Sequence, residues 1–280
     1  MPEPIIIQVM KEAENHRKKA VSAEDFALED IVKTDEGHYN YIGLELPDGI
    51  WKQLTFAGTT FLEGTADAQK TYAEWIPYSE KGAVYENGHW RPAEAKDTQV
   101  FRITPAKVRY WGMRGAYEHR NTKDNRLKKI VNELKALYKK DGTNPWPYNA
   151  EGVAWEAGKN GVVTVNGWPN NHPFVETYEI PPSPDDNYCH EIKTGCGLDD
   201  VLEKLTGDAN PARVKEVFEW IYEPSNQKTY LWRLKKEETA ELAVVFGFVD
   251  EGADIYTYGD VVSQRPARGV AADEKKFEGK

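Results

Sequence analysis

Four residues near the middle of the chain have the types and spacing of an anion-binding turn. Arg114, His119 and Arg120 follow Trp111 closely. Guanidinium groups bind phosphate or carboxylate through parallel hydrogen bonds, and an aromatic ring offers a flat face for stacking. His119 adds a donor or a proton-transfer group. The turn 111–120 is therefore a predicted site for an anionic ligand, with Trp111, Arg114 and Arg120 binding it and His119 as the catalytic candidate; the alternative is a basic surface turn.

Positive charge is concentrated around this turn. Between Arg102 and Lys140 the chain has twelve Lys or Arg residues against three acidic ones, so this segment carries a net charge of +9 in a chain of net charge −10. The remaining residues therefore sum to −19. Exposed like charges repel one another unless an opposite charge is near. The charge separation favours an anionic small molecule or an acidic partner surface at this segment.

A basic amphipathic helix is predicted directly after the turn. Asp124 is a suitable N-terminal cap and Gly142 a suitable stop, and Lys and Arg occupy the face opposite the apolar one. The apolar residues that recur at helical spacing are Leu127, Ile130, Val131, Leu134, Leu137 and Tyr138. The basic face over 126–140 is either a solvated surface or a surface that docks on an acidic partner or nucleic acid. The charge of −19 elsewhere argues against an extended nucleic-acid surface.

The residues before the helix have the pattern of antiparallel strands. From Phe26 onward, short apolar-alternating runs are separated by turn signals, which predicts a β-meander. Residues 99–104 also alternate, and Pro105 suits the second position of a tight turn before Lys107 to Trp111. This pattern predicts a β-hairpin that leads into the Arg/His turn.

The hairpin and turn, FRITPAKVRYWGMRGAYEHR, resemble the C-terminal hairpin of the pyridoxamine-phosphate-oxidase-like, FMN-binding split-barrel family. Upstream, EGTA at Glu63 to Ala66, then Trp75 and Pro77, is similar to the later half of the same family. The resemblance covers residues 26–120 at most. It implies a split β-barrel that usually forms a homodimer and holds FMN at the dimer interface, and an oxidoreductase activity. Tyr117 stands where the oxidase branch has an Arg.

The complete chain is predicted to be α+β, with two folded units and a tail. Residues 1–144 form an antiparallel β-meander or split-barrel-like unit with the basic helix. Residues 145–264 form a second, smaller α+β unit with a central antiparallel sheet, and 265–280 form a disordered tail. The boundary is placed at Pro145 to Tyr148, where two prolines flank Trp146. Each unit is expected to have its own core.

Several other classes of site and protein are disfavoured by the sequence. Phosphate-binding glycine motifs, a nucleophile elbow and an HExxH helix are all absent. Cys189, His190 and Cys196 offer at most three zinc ligands, and ordinary thiols are the simpler interpretation; no metal site is predicted. No apolar run is long enough to span a bilayer and no signal peptide is recognised, so a soluble, cytoplasmic protein is expected. These residues do not establish whether the protein is an enzyme.

Overall fold

The structure is a computed structural model. It describes residues 28, 30–42, 53–143, 145–155, 162–166, 173–174, 189–234, 238, 240–249 and 252–272. The described residues form five helices: α1 (Tyr72–Lys81), α2 (Ala106–Glu118), α3 (Asn125–Asp141), α4 (Asp199–Thr206) and α5 (Pro211–Tyr222). None of these helices is long and apolar enough to cross a membrane.

The strands of the described residues fall into two large open sheets and two small hairpins. In chain order they are β1 (Asp30–Lys33), β2 (Tyr39–Ile42), β3 (Gln53–Thr60), β4 (Leu62–Glu63), β5 (Ala66–Asp67), β6 (Ala83–Glu86), β7 (His89–Pro92), β8 (Arg102–Ile103), β9 (Gly152–Trp155), β10 (Val162–Asn166), β11 (Pro173–Phe174), β12 (Cys189–Glu191), β13 (Lys228–Trp232), β14 (Ala240–Val249), β15 (Gly252–Gly259) and β16 (Arg268–Ala272).

The two large sheets are built mainly from antiparallel pairs. The five-stranded sheet has the order β1-β2-β3-β16-β8, and the seven-stranded sheet has the order β11-β10-β9-β14-β15-β13-β12. The one parallel pair among the described strands joins β13 to β15. Helices and largely antiparallel sheets together confirm the predicted α+β class. The predicted meander is also present, because β1, β2 and β3 are consecutive antiparallel neighbours.

The predicted β-hairpin at 99–111 is wrong in its second half. Residues 107–111 belong to α2, and only the two residues of β8 are a strand before it. Pro105 is the N-cap of the helix, and it has no side chain that accepts a hydrogen bond. Glu151 supplies this acceptor instead, because its Oε1 and Oε2 lie 2.9 and 2.7 Å from the amide nitrogen of Ala106. A helix start that is capped from 45 positions away has no local sequence signal.

The predicted disordered tail is also wrong for the described residues 265–272. β16 lies inside the five-stranded sheet, with β3 on one side and β8 on the other. Both edges of this strand are therefore hydrogen-bonded, and Val270 is fully buried. The polar composition from Arg265 onward suggested a tail, but pairing with strands more than 150 positions earlier decides the structure.

Both hydrophobic cores contain residues from each side of position 145. One cluster joins Tyr41 and Phe56 to Phe218 and Phe246, and the other includes Phe61 with Tyr148. The segment predicted as a linker lies in this shared interior. Residues 147–151 are buried, and the Tyr148 hydroxyl donates to the carbonyl oxygen of Ser263 at 2.7 Å. The predicted boundary at residue 145 therefore does not separate two cores.

Candidate functional site

The predicted anion-binding turn is the second half of α2 together with the residues that follow it. Trp111 and Arg114 are buried within the helix, His119 is its C-cap, and Arg120 is exposed just beyond it. The four side chains therefore differ in burial and in neighbours.

Arg114 is held by carboxylates of the protein itself. Its Nε lies 2.7 Å from Glu118 Oε1, and its Nη1 lies 3.4 Å from Asp208 Oδ2. Asp208 is fully buried and also accepts from Arg213, whose Nε and Nη2 lie 2.6 and 2.7 Å from its two oxygens. Tyr110 donates its hydroxyl to the same carboxylate at 3.0 Å. This network fastens α2 to the loop between α4 and α5, so Arg114 has a structural role.

Trp111 and Arg120 each lie beside a residue of the protein itself. Trp111 packs its ring against Gly207, with the Lys107 ammonium 5.1 Å from the ring centroid. Arg120 stacks instead on Tyr117, 3.6 Å from that centroid, and its Nη1 donates to the Tyr117 carbonyl oxygen at 2.9 Å. Trp111 therefore packs in the interior, whereas Arg120 lies on the surface.

His119 ends α2 and has a buried ring nitrogen. Its backbone N–H donates to the Gly115 carbonyl oxygen at 3.4 Å, and its carbonyl oxygen accepts from Thr122. Its Nε2 has no hydrogen-bond partner in the described part of the chain. No acid or base that would complete a catalytic pair is hydrogen-bonded to it there.

The basic helix is present as predicted. α3 begins after Asp124, whose Oδ1 accepts from the amides of Arg126 and Leu127 at 2.8 and 3.1 Å, and it ends at Gly142. The predicted cap and stop are both confirmed. The buried stripe of Leu127, Ile130, Val131, Leu134 and Tyr138 fixes which face points outward. The outward residues, called here the α3 surface, are Asn125, Lys128, Lys129, Asn132, Ala136 and Lys140.

Ion pairs border the α3 surface on both sides. On one side Arg126 pairs with Asp30 at 3.1 Å, and Lys33 pairs with Glu133 at 2.8 Å. On the other side Lys135 and Lys139 both donate to Glu223, the latter at 2.6 Å. These hydrogen bonds, first that of Lys135 and then that of Lys139, lower the pKa of Glu223 to about 2.

Three lysines of the α3 surface form no ion pair in the described part of the chain. Lys128, Lys129 and Lys140 are exposed, and none of them forms an ion pair there. A surface depression of about 540 Å³ is lined by Asn125, Lys128, Lys129, Asn132, Glu133 and Ala136. Lys140 lies further along the helix. The cations that border these lysines on α3 are paired with carboxylates, whereas the three lysines form no ion pair among the described residues.

The helix has a clear sequence pattern, but the ion pairs that border its basic face do not. Asp30, Lys33 and Glu223 lie 84 to 100 positions from the side chains that they pair with. Such pairing depends on the packing of α3 against β1 and α5, and neither contact has a local signal. The geometry thus divides the basic face of α3 into an ion-paired border and a strip of lysines that form no ion pair in the described part of the chain.

The two cysteines lie outside α3. Cys189 is in β12, and Cys196 is in the loop before α4; both are reduced. Successive residues of a strand point to opposite faces, so Cys189 and His190 do not face the same point. Among the described residues no group of three His, Cys, Asp or Glu side chains is placed to hold a metal ion.

Comparison with protein-family models, curated proteins and solved structures gave no match.

Proposed function

We propose that this chain is a binding protein whose α3 surface docks on an acidic segment of a partner protein. The observation that carries the proposal is the strip formed by Lys128, Lys129 and Lys140, which is exposed and forms no ion pair among the described residues. Lysines that repel one another on one helix face are stabilised when an anionic partner covers them.

The border favours a protein segment over a nucleic acid. Asp30, Glu133 and Glu223 lie beside the strip, and their carboxylates would repel a continuous phosphate backbone. The strip is also short, because Lys128 and Lys140 are separated by a helical rise of about 18 Å. A peptide can place a few carboxylates on the lysines and leave the border undisturbed. Nucleic acid is the alternative outcome of the test.

Fluorescence anisotropy with a labelled Asp/Glu-rich peptide of about twelve residues tests the proposal. At low salt, we expect saturable binding that weakens as salt screens the charges. A double variant, Lys128→Glu with Lys129→Glu, should bind at least about tenfold more weakly. The matched control is Lys81→Glu with Lys228→Glu, which changes the net charge equally at exposed positions outside α3. This control should stay within about twofold of the unmodified protein.

A single-stranded oligonucleotide of the same length forms the second arm. Stronger binding of the oligonucleotide, with a steep dependence on salt, would replace the acidic protein by nucleic acid. Absence of peptide binding at low salt would contradict the proposal. If the two double variants lose peptide affinity equally, net charge and not the α3 surface governs binding.

FMN binding, with the homodimer and split barrel that the resemblance implies, stays a prediction that a titration can test. The described geometry does not favour it, because FMN phosphate would have to displace Glu118 and Asp208 from Arg114. Addition of FMN should therefore leave flavin fluorescence and the melting temperature unchanged. A saturable change in either would support the flavin interpretation.

A further inference from the structure

Arg109 is a buried arginine whose hydrogen bonds are incomplete. Only 1% of the residue is exposed. Its Nη1 lies 3.4 Å from the Pro147 carbonyl oxygen, but Nε and Nη2 have no hydrogen-bond partner in the described part of the chain. A buried guanidinium is costly unless its donors are matched by acceptors, because it has left water without replacing those hydrogen bonds.

The unmatched edge of Arg109 is the edge that other arginines of this chain use for carboxylates. Arg213 binds Asp208 through Nε and Nη2 at 2.6 and 2.7 Å. Arg268 binds Asp141 through the same two atoms, both at 2.7 Å. In each pair, two parallel donors meet the two oxygens of one carboxylate. Arg109 presents the same pair of donors to the interior.

The acidic groups that act electrostatically on Arg109 have other partners. Asp141 is bound by Arg268, and Glu151 accepts from the amide of Ala106 at the start of α2. Neither carboxylate forms an ion pair with Arg109. Among the described residues, Arg109 therefore has donors at Nε and Nη2 without matching acceptors.

Asn149 places a second incomplete polar group on the same buried segment. It lies two positions after Pro147, it is fully buried, and neither its Nδ2 nor its Oδ1 has a hydrogen-bond partner among the described residues. Its backbone N–H donates to the Val244 carbonyl oxygen at 3.3 Å, so the segment itself is fixed. Both residues are thus associated with the buried segment 147–151, because the Pro147 carbonyl oxygen accepts from Arg109 and Asn149 lies two positions further along the chain.

We propose that Arg109 and Asn149 bind a small oxyanion, a carboxylate or a phosphate, in this part of the interior. The Nε and Nη2 donors of Arg109 match two oxygens of such a group, and the Asn149 amide adds a third donor. This site is separate from the α3 surface and does not depend on the function proposed there. Because both residues are buried, the anion enters during folding or through a local opening.

The test is refolding from urea in sodium phosphate, sodium acetate or sodium chloride at equal pH and ionic strength, followed by thermal melting. We expect phosphate or acetate to raise the melting temperature, by roughly 5 °C at a concentration of about one hundred times Kd, relative to chloride. The anion that acts identifies the class of oxyanion. If neither anion raises the melting temperature of the unmodified protein, the proposal is overturned.

Two variants locate the effect. Asn149→Asp adds a carboxylate of the protein to the proposed site, so the response to added anion should disappear. Arg109→Met removes the guanidinium and should abolish the response as well. The Lys128→Glu, Lys129→Glu protein should keep it, since those lysines are exposed on α3. A response that persists in either interior variant, or that is lost from the α3 variant, would contradict the proposed site.

Discussion

Arg268 and Asp141 form a buried two-point ion pair although they are 127 positions apart in the chain. Nε and Nη2 of Arg268 each lie 2.7 Å from one oxygen of Asp141, and Nη1 donates to the Ala57 carbonyl oxygen at 2.9 Å. The pair fastens β16 and β3 to the last turn of α3. This ion pair helps to fix α3, whose outward face carries Lys128, Lys129 and Lys140.

Removing one partner of this pair should be strongly destabilising. Asp141→Ala leaves the Arg268 guanidinium buried and uncompensated, which should cost about 3 to 5 kcal/mol in the free energy of unfolding. Urea denaturation measures the loss. Arg126→Gln, which breaks the exposed pair with Asp30, is the control and should cost less than about 1 kcal/mol. Similar costs for the two variants would show that the buried pair is not a structural anchor.

A charge at Phe246 should unfold the entire described structure rather than one half. Phe246 is fully buried and packs edge-on against Phe218 at 5.2 Å, in the same cluster as Tyr41 and Phe56. Phe246→Asp should cost several kcal/mol, because an unpaired carboxylate replaces a ring in the core. Limited proteolysis should then digest both sides of residue 145 together. A protected fragment that ends near 145 would instead support two independent cores.

Glu151 should make stability depend on pH near neutrality. Burial raises its pKa from 4.5 to about 7, although the hydrogen bonds from backbone amides oppose this shift. The folded protein therefore binds a proton between about pH 4.5 and 7 that the unfolded chain has released. The stability linked to Glu151 is present below pH 4.5 and is lost as the pH rises through 7, by up to about 3 kcal/mol.

Urea denaturation of the unmodified protein and of Glu151→Gln across this range isolates the contribution. The glutamine can still accept from the Ala106 amide but cannot ionise, so its stability should fall less between pH 4.5 and 7. Parallel pH profiles for the two proteins would mean that Glu151 keeps an ordinary pKa. Since only the difference between the profiles is used, other titrating groups cancel.

Elements with local signals were predictable from the sequence. α5 begins at Pro211 after the Asn210 cap and ends at Tyr222, as a helix with proline in its first turn predicts. α3 is equally easy to recognise, because its apolar residues recur at helical spacing and its polar residues occupy the opposite face. Both helices lie on the surface of the core, where one face meets solvent.

Elements fixed by distant contacts were not predictable in this way. Most residues of α2 are buried, including Arg109 and Arg114, so no polar face marks it as a helix. β16 depends on β3 and β8, which lie far away in the sequence. The same limit applies to the predicted site. Arg114 has the residue type of an anion ligand, but only the fold places Asp208 beside it.

Lysine footprinting shows whether an acidic partner binds at the α3 surface. The protein is acetylated briefly with and without the Asp/Glu-rich peptide, and the modified lysines are measured by mass spectrometry. Lys128, Lys129 and Lys140 should be protected by the peptide, whereas the exposed Lys81 and Lys228 should react equally in both samples. Equal protection at all five lysines, or no protection on α3, would contradict binding at the α3 surface.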